Sequence, residues 1–315
     1  MCVTCGCSDN AQGTITNPQT GEVMAIAPAS HEHHHTHTLP DGTLITHNHE
    51  SDHSHTHTLP DGQVITHSHS QQENSLIQNS PHSHETSQIH AKVHGTTITL
   101  EQDILAKNNL IAAQNRGWFK GRNILALNLV SSPGAGKTTL LTRTIKDLKY
   151  QLPIHVIEGD QETTNDAKKI QETGCKVVQI NTGTGCHLEA AMVERGLEQL
   201  NPPMNSVVMI ENVGNLVCPA LFDLGEHAKV VILSVTEGED KPIKYPHMFR
   251  ASNIMILTKI DLLPYVQFDV EQCLEYARQV NPKIRIFQVS ALTGSGLETW
   301  YKWLNSQLQG QSKSR

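Results

Sequence analysis

Ile124-Leu-Ala-Leu-Asn-Leu-Val130 runs without a break into Ser131-Ser-Pro-Gly-Ala-Gly-Lys-Thr138, and a helical pattern follows over 138–150. An apolar strand, a glycine-rich turn and a helix in that order make a loop suited to phosphate. The backbone N–H groups of Gly134, Ala135, Gly136 and Lys137 can wrap phosphate oxygens, and the helix N-terminus adds the positive end of its dipole. Lys137 reaches the β- and γ-phosphates, Thr138 offers its hydroxyl to Mg²⁺, and Thr139 continues the turn. Ser131 stands where the G-x-x-x-x-G-K-[ST] pattern has its first glycine, but Gly-x-Gly-Lys-Thr keeps the strand–turn–helix context.

Outward from this loop, strands are expected at 123–130, 154–158, 176–180, 206–210, 229–234, 253–258 and 283–289. Helices are expected at 138–150, 162–173, 187–200, 270–280 and 296–309. Apolar runs without alternation mean strands covered on both faces, hence an α/β fold with a mostly parallel sheet flanked by helices, a P-loop NTPase domain over 96–315. Before it, Leu100, Ile104, Leu105, Leu110 and Ile111 recur at helical spacing up to Gly117, which predicts an amphipathic helix docking on the domain.

The base bound is read elsewhere. Leu257-Thr-Lys-Ile-Asp261 follows a strand and resembles the N/T-K-x-D guanine motif: Asp261 accepts from guanine N1–H and the exocyclic amine, and Lys259 lies along the base. Adenine lacks that donor pair, so the motif favours GTP over ATP by roughly 10⁴-fold. Thr258 replaces the commoner Asn, leaving a shorter side chain to tie this loop to the phosphate loop. In Val289-Ser-Ala-Leu-Thr-Gly294, Ser290 props the loop and the Ala291 N–H faces guanine O6. Asp160, at the end of a strand, is a candidate Mg²⁺ ligand, and Glu211 a candidate to hold a metal-bound water or orient the attacking one. Asp166 is either a further switch residue or a charge compensating its helix N-terminus.

The first 95 residues differ in composition. They hold nine acids and one base and no aromatic residue, whereas all 13 aromatics lie beyond them, so 1–95 reads as a largely disordered tail. Sixteen of the 20 histidines fall between His31 and His94, and a 15-residue stretch repeats after 20 residues. The repeat sets His35, His37, His47 and His49 against His55, His57, His67 and His69, with Pro-Asp-Gly turns between the pairs. Mostly neutral imidazoles at such density suit Ni²⁺, Zn²⁺ or Cu²⁺; a solvated linker or a pH-sensitive tether is the alternative. At the start, Cys2, Cys5 and Cys7, with an α-amine if Met1 is removed, offer a square-planar set suited to Ni(II) or Cu(II). A near-neutral domain gives no footprint for nucleic acid, and no run of 18 apolar residues and no signal sequence point to a membrane, so a cytoplasmic protein is expected.

Cys186-His187, preceded by Thr182-Gly-Thr-Gly185, and Cys218 in Glu211-Asn-Val-Gly-Asn-Leu-Val-Cys218 form a second candidate metal site, which spacing alone supports weakly. Cys175 and Cys273 read as buried hydrophobes. Together with Glu237-Gly-Glu-Asp-Lys-Pro242, these motifs resemble the HypB family of hydrogenase nickel incorporation GTPases over nearly the whole chain. The resemblance implies a SIMIBI-class GTPase that dimerises with GTP, works with a HypA-type nickel chaperone and loads nickel into the [NiFe]-hydrogenase large subunit precursor. It also implies metal binding, as Ni²⁺ or Zn²⁺, by Cys186, His187 and Cys218 near the dimer interface. With no Arg finger or positioned Gln evident, slow intrinsic hydrolysis with Lys137, Asp160 and Glu211 as catalytic residues is expected. Three alternatives remain: a nickel or zinc storage protein with a regulatory GTPase domain, a urease-accessory-type GTPase and a P-loop kinase.

Overall fold

A computed structural model of the chain describes residues 14–25, 33–38, 44–49, 55–58, 64–67, 86–161 and 165–313. The strands are β1 (Thr14–Thr16), β2 (Val23–Ala25), β3 (His33–Thr38), β4 (Leu44–His49), β5 (His55–Thr58), β6 (Val64–His67), β7 (Leu125–Ser131), β8 (Ile154–Asp160), β9 (Lys176–Asn181), β10 (Val207–Glu211), β11 (Ala228–Ser234), β12 (Ile254–Thr258) and β13 (Arg285–Gln288). The helices are α1 (Thr86–Gly121), α2 (Lys137–Leu148), α3 (Asn165–Gln171), α4 (Ala190–Leu200), α5 (Lys241–Lys244), α6 (Pro246–Ala251), α7 (Val270–Val280) and α8 (Leu297–Lys313). Residues 1–26 with 93–315 form one compact unit and residues 27–92 another.

Every residue of β7, β10, β11 and β12 is buried, as continuous apolar runs demand of strands covered on both faces. The sheet order is β13-β12-β11-β7-β10-β8-β9-β1-β2, and the seven strands from β7 onward are parallel. Side chains alternate across it. Leu125, Leu127 and Leu129 pack with Leu140 and Ile145 of α2, Ile170 of α3, and Trp300 and Leu304 of α8. On the opposite face Ala126 joins Phe119 of α1 with Val193 and Leu197 of α4, and Val130 joins Phe249 of α6 and Ala277 of α7. Because all seven strands run one way, the loops that follow β7, β8, β9, β10 and β12 open at one edge, where such folds place ligands.

Within the N-terminal part, expected to be largely disordered, two short strands add to the sheet. β1 pairs antiparallel with β9 and β2 with β1, extending the sheet edge, and Ile15 is buried in the core with Phe119 and Ile180. Alternating Thr-Ile-Thr with a single apolar side chain is enough to cap an exposed edge, but too short a signal to read beforehand. The two His-rich copies form separate antiparallel strand pairs: His33 is in register with His49 and His35 with His47 between β3 and β4, and His55 with His67 between β5 and β6. His37 and His57 are in register with Ile45 and Ile65, so the repeat pairs its histidines only in part. His69, Cys2, Cys5 and Cys7 lie outside the described residues.

α1 also corrects the sequence reading. It starts earlier than residue 100 and runs through Gly117 to Gly121. Over the part of it whose side chains are described, the buried residues are Asn108, Ala112, Asn115 and Phe119, at helical spacing, whereas Leu110 is 65% exposed. The face that meets the domain is half polar: Ile104, Leu105 and Ile111 lie half-buried along it as the apolar spacing predicts, and Leu110 alone of these points away.

Candidate functional site

The turn from β7 into α2 is held by glycine conformations. Gly134 and Gly136 have φ of 78° and 93°, values at which a β-carbon is strained, and Gly136 caps α2. Lys137 Nζ lies 2.9 Å from Glu211 Oε1, and Thr138 Oγ1 donates to the same oxygen at 2.6 Å. Thr138 is also 3.0 Å from Asp166 Oδ2, whose other oxygen accepts from Lys169 Nζ at 2.8 Å. Asp166 therefore joins the phosphate loop and does more than compensate its helix N-terminus. Thr139 stands exposed just beyond, on the first turn of α2.

Register brings a second carboxyl in. Glu158 of β8 pairs with Glu211 of β10. Burial, then the neighbouring Glu211 and Asp160 charges, push the Glu158 carboxyl up to about 9. Glu158 Oε2 and Glu211 Oε2 are buried oxygens without a hydrogen-bond partner. The Thr138 hydroxyl on Glu211, with Asp160 closing β8, offers oxygen donors of the kind a hard divalent cation such as Mg²⁺ takes. The sequence marks Glu158-Gly-Asp160 as a switch candidate, but it assigns a ligand role within that segment to Asp160 and none to Glu158.

The base-side motifs converge on the same loop. Thr258 Oγ1 donates to Ala135 O at 2.7 Å and Lys259 Nζ to Gly134 O at 2.8 Å, so the shorter Thr258 does tie the two loops together. Lys259 adopts φ of 59°, which turns the chain into the short 3₁₀ segment carrying Asp261. Ser290 accepts from Thr293 N at 3.1 Å, and Arg143 of α2, unremarked in the sequence, donates to Ala291 O at 2.8 Å. Gly296 closes this loop where a β-carbon would collide with the Gln288 carbonyl.

A second cluster lies at the ends of β9 and β10. One ligand atom from each of Cys186, His187 and Cys218 falls within 4.8 Å of the others, and Cys186 Sγ is 3.6 Å from His187 Nδ1. The His187 ring lies 4.0 Å from Phe222, and burial holds its imidazole down to about 4, keeping it neutral and able to ligate at pH 7. Two thiols and one imidazole suit Ni²⁺ or Zn²⁺. By contrast Cys175 and Cys273 are buried among apolar groups, which pushes both thiols up to about 12.

Asparagines hold the two loops of this cluster in place. Asn215 donates to Cys186 O at 3.2 Å, and Asn212 accepts from Leu188 N at 3.1 Å. Asn212 also bonds Asn128 of β7, which bonds Glu226, and Lys229 donates to Pro219 O at 2.6 Å and Phe222 O at 3.0 Å. Asn212 and Asn215 stand in the Glu211–Cys218 motif, but the sequence assigns them no role, and Asn128, Glu226 and Lys229 carry no spacing to read.

The comparisons with known proteins agree with this geometry. Residues 125–288 match the family model "CobW/HypB/UreG, nucleotide-binding domain". Hydrogenase maturation factor HypB of Rhizobium leguminosarum bv. viciae is 59% identical over 207 residues, 66% of this chain and 69% of that one. HypB of Escherichia coli (strain K12) is 57% identical over 210 residues, 67% of this chain and 72% of that one. The crystal structure of HypB from Helicobacter pylori in complex with nickel superposes with a TM-score of 0.61 at 36% identity, over 65% of this chain and 96% of that one. No helix among the described residues is long and apolar enough to cross a membrane. A phosphate loop tied to a guanine-type motif, a Cys/His cluster on the adjoining loops and these likenesses lead to one assignment: the chain belongs to the HypB family of hydrogenase maturation factors.

Proposed function

We propose that the protein is a GTP-hydrolysing nickel metallochaperone that delivers nickel to the [NiFe]-hydrogenase large subunit precursor. The observation that carries this reading is the segment from Glu211 to Cys218. At one end Glu211 binds Lys137 and Thr138; in the middle Gly214 packs on Pro133, with 3.1 Å from its projected β-carbon to the proline ring; at the other end Cys218 joins the Cys/His cluster. An arriving nucleotide draws Lys137 from Glu211 toward the β- and γ-phosphates. Asp261 reads guanine, Ala291 faces its O6, and Thr138 with Asp160 would hold Mg²⁺, which would supply charge neutralisation at the phosphates. Glu211 orients the attacking water. Movement of its segment then alters the donor geometry at Cys218, and by linkage the bound metal biases the nucleotide state.

In this reading nickel, or zinc at rest, is held by Cys186, His187 and Cys218, while Cys2, Cys5 and Cys7 with the His-rich repeats supply further metal-binding capacity. A HypA-type chaperone, a GTP-dependent homodimer and a cytoplasmic setting complete it. Val217 and Leu221, 58% and 55% exposed on either side of Cys218, provide apolar surface for a second copy at the metal site. The test measures nickel affinity of the Cys2→Ser/Cys5→Ser/Cys7→Ser chain with a GTP analogue and with GDP. A several-fold difference is expected, and equal affinities overturn the coupling.

A further inference from the structure

The Cys186/His187/Cys218 cluster is assembled from two loops that share no regular secondary structure, and the structure shows what spans them. Ala190 N donates to Asn108 Oδ1 at 2.9 Å, while Asn108 Nδ2 donates to Asp223 O at 2.8 Å. One helical face further along, Asn115 Nδ2 donates to Ala190 O at 2.9 Å and to Leu224 O at 3.1 Å. Both side chains are buried, at 5% and 3% exposure. Each asparagine therefore bridges the backbone three residues past His187 to the backbone that follows Phe222, the ring lying against His187.

An amide suits such a bridge: Asn108 uses its oxygen as acceptor and its NH₂ as donor, and Asn115 donates from its NH₂ to both loops. The seat is close. At Gly225, with φ of +88°, a β-carbon would stand 2.5 Å from Ala112 O and 2.8 Å from Arg116 N, so the loop meets α1 backbone to backbone. Arg116 grips Asp223 at 2.6 and 2.7 Å, but that pair is solvent-exposed and adds little energy. The buried amides carry the register.

We propose that Asn108 and Asn115 of α1 are positioning residues for the Cys186/His187/Cys218 metal site, clasping its two loops at ligating distance so that the docked state of α1 sets metal affinity. The inference rests on the metal-binding reading above and deepens it. α1 begins at Thr86, with 16 residues between it and His69, and the stretch of it that carries the two asparagines packs on the domain. Partners that orient ligands from outside the donor set characteristically change metal affinity by 10–100-fold when removed.

The experiment uses the full chain carrying Cys2→Ser, Cys5→Ser and Cys7→Ser, titrated with Co²⁺ and with Ni²⁺ alone. The thiolate-to-metal absorption then reports Cys186 and Cys218; the His-rich repeats, common to all variants, give no thiolate band. Asn108→Ala and Asn115→Ala are each expected to weaken binding tenfold or more and to shift the Co²⁺ band, with guanine nucleotide affinity unchanged. A merely structural role for α1 would lower the melting temperature and leave the spectrum of the bound metal as it was. A parent band with unaltered affinity and position in both variants overturns the clasp alone. Absence of the band in the parent, or its survival in Cys218→Ala, overturns the metal site and the clasp together. Should an asparagine variant fail to fold, hydrogen exchange on the parent decides: added Ni²⁺ is expected to slow amide exchange across 106–116 and 223–225, and not in Cys218→Ala. Unchanged exchange overturns the proposal.

Discussion

The phosphate loop and the Cys/His cluster stand at the same edge of one sheet, yet they are built in opposite ways. The phosphate loop is eight consecutive residues whose shape is set by Gly134 and Gly136 at positive φ, and its partners Lys137 and Thr138 are part of the motif itself. The cluster draws Cys186 and His187 from one loop, Cys218 from another, and its bracing from α1, β7 and β11. A site encoded locally tolerates damage elsewhere in the chain. One assembled from distant segments is exposed to every element that braces it, and this asymmetry makes the two separable by substitution.

The largest effect is expected on the local side. Asp261→Ala removes the carboxylate that accepts from guanine, so the preference for GTP over ATP should fall by roughly 10⁴-fold, about 5.5 kcal/mol. Competition between the two nucleotides for a fluorescent analogue measures it. The Co²⁺ band of the cluster should be unaltered in the nucleotide-free variant; its loss would mean that the two regions are not independent.

Next comes the braced side. Gly225→Ala places a methyl 2.5 Å from Ala112 O, a backbone atom with no rotamer to yield, at φ of +88°. Positive φ alone costs an alanine about 1–2 kcal/mol, and the displacement of α1 adds to it, for roughly 3 kcal/mol in chemical denaturation. Metal binding should weaken far more than nucleotide binding. If both fall equally, the cluster depends on α1 no more than the phosphate loop does.

The same contrast explains what could be read in advance. Strand positions, the mostly parallel sheet and the phosphate-loop turn follow from apolar runs and from motifs whose spacing is short, and Thr258 reaches Ala135 O despite replacing the longer Asn. Legibility failed where a polar residue works over long sequence distance. Asn108 bonds residue 223 and Asn128 bonds residue 226, and no periodicity marks either. α1 was placed by its apolar residues, and Leu110 proved exposed because the docking stripe is Asn108, Ala112, Asn115 and Phe119. β1 escaped notice since a three-residue edge strand carries one buried side chain, Ile15.

A smaller effect sharpens the role of β11. Lys229 is buried, and its pKa is lowered mainly by burial; its ammonium donates to Pro219 O and Phe222 O, 3.8 Å from Glu226. Lys229→Met keeps the volume and leaves two carbonyls without their donor, a cost of about 2 kcal/mol. Pro219 follows Cys218 directly and Phe222 lies on His187, so Ni²⁺ affinity should drop while GTP affinity holds. Burial disfavours the charged lysine, so its folded pKa lies below its unfolded one. Wild-type stability should therefore rise with pH between the lowered value and the ordinary lysine range, and Lys229→Met should lack that rise.

The smallest predicted effect returns to the phosphate loop. Thr258→Ala removes the hydroxyl that donates to Ala135 O at 2.7 Å and leaves that carbonyl to find another donor; Lys259 still reaches Gly134 O. A single neutral hydrogen bond contributes about 1 kcal/mol, so GTP affinity should fall about fivefold, with no change at the Cys/His cluster. Thr258→Ser keeps the hydroxyl and should bind GTP within twofold of the wild type. If alanine and serine bind alike, the tie between the two loops rests on Lys259, and the phosphate loop's shape owes less to the base motif than its own glycines supply.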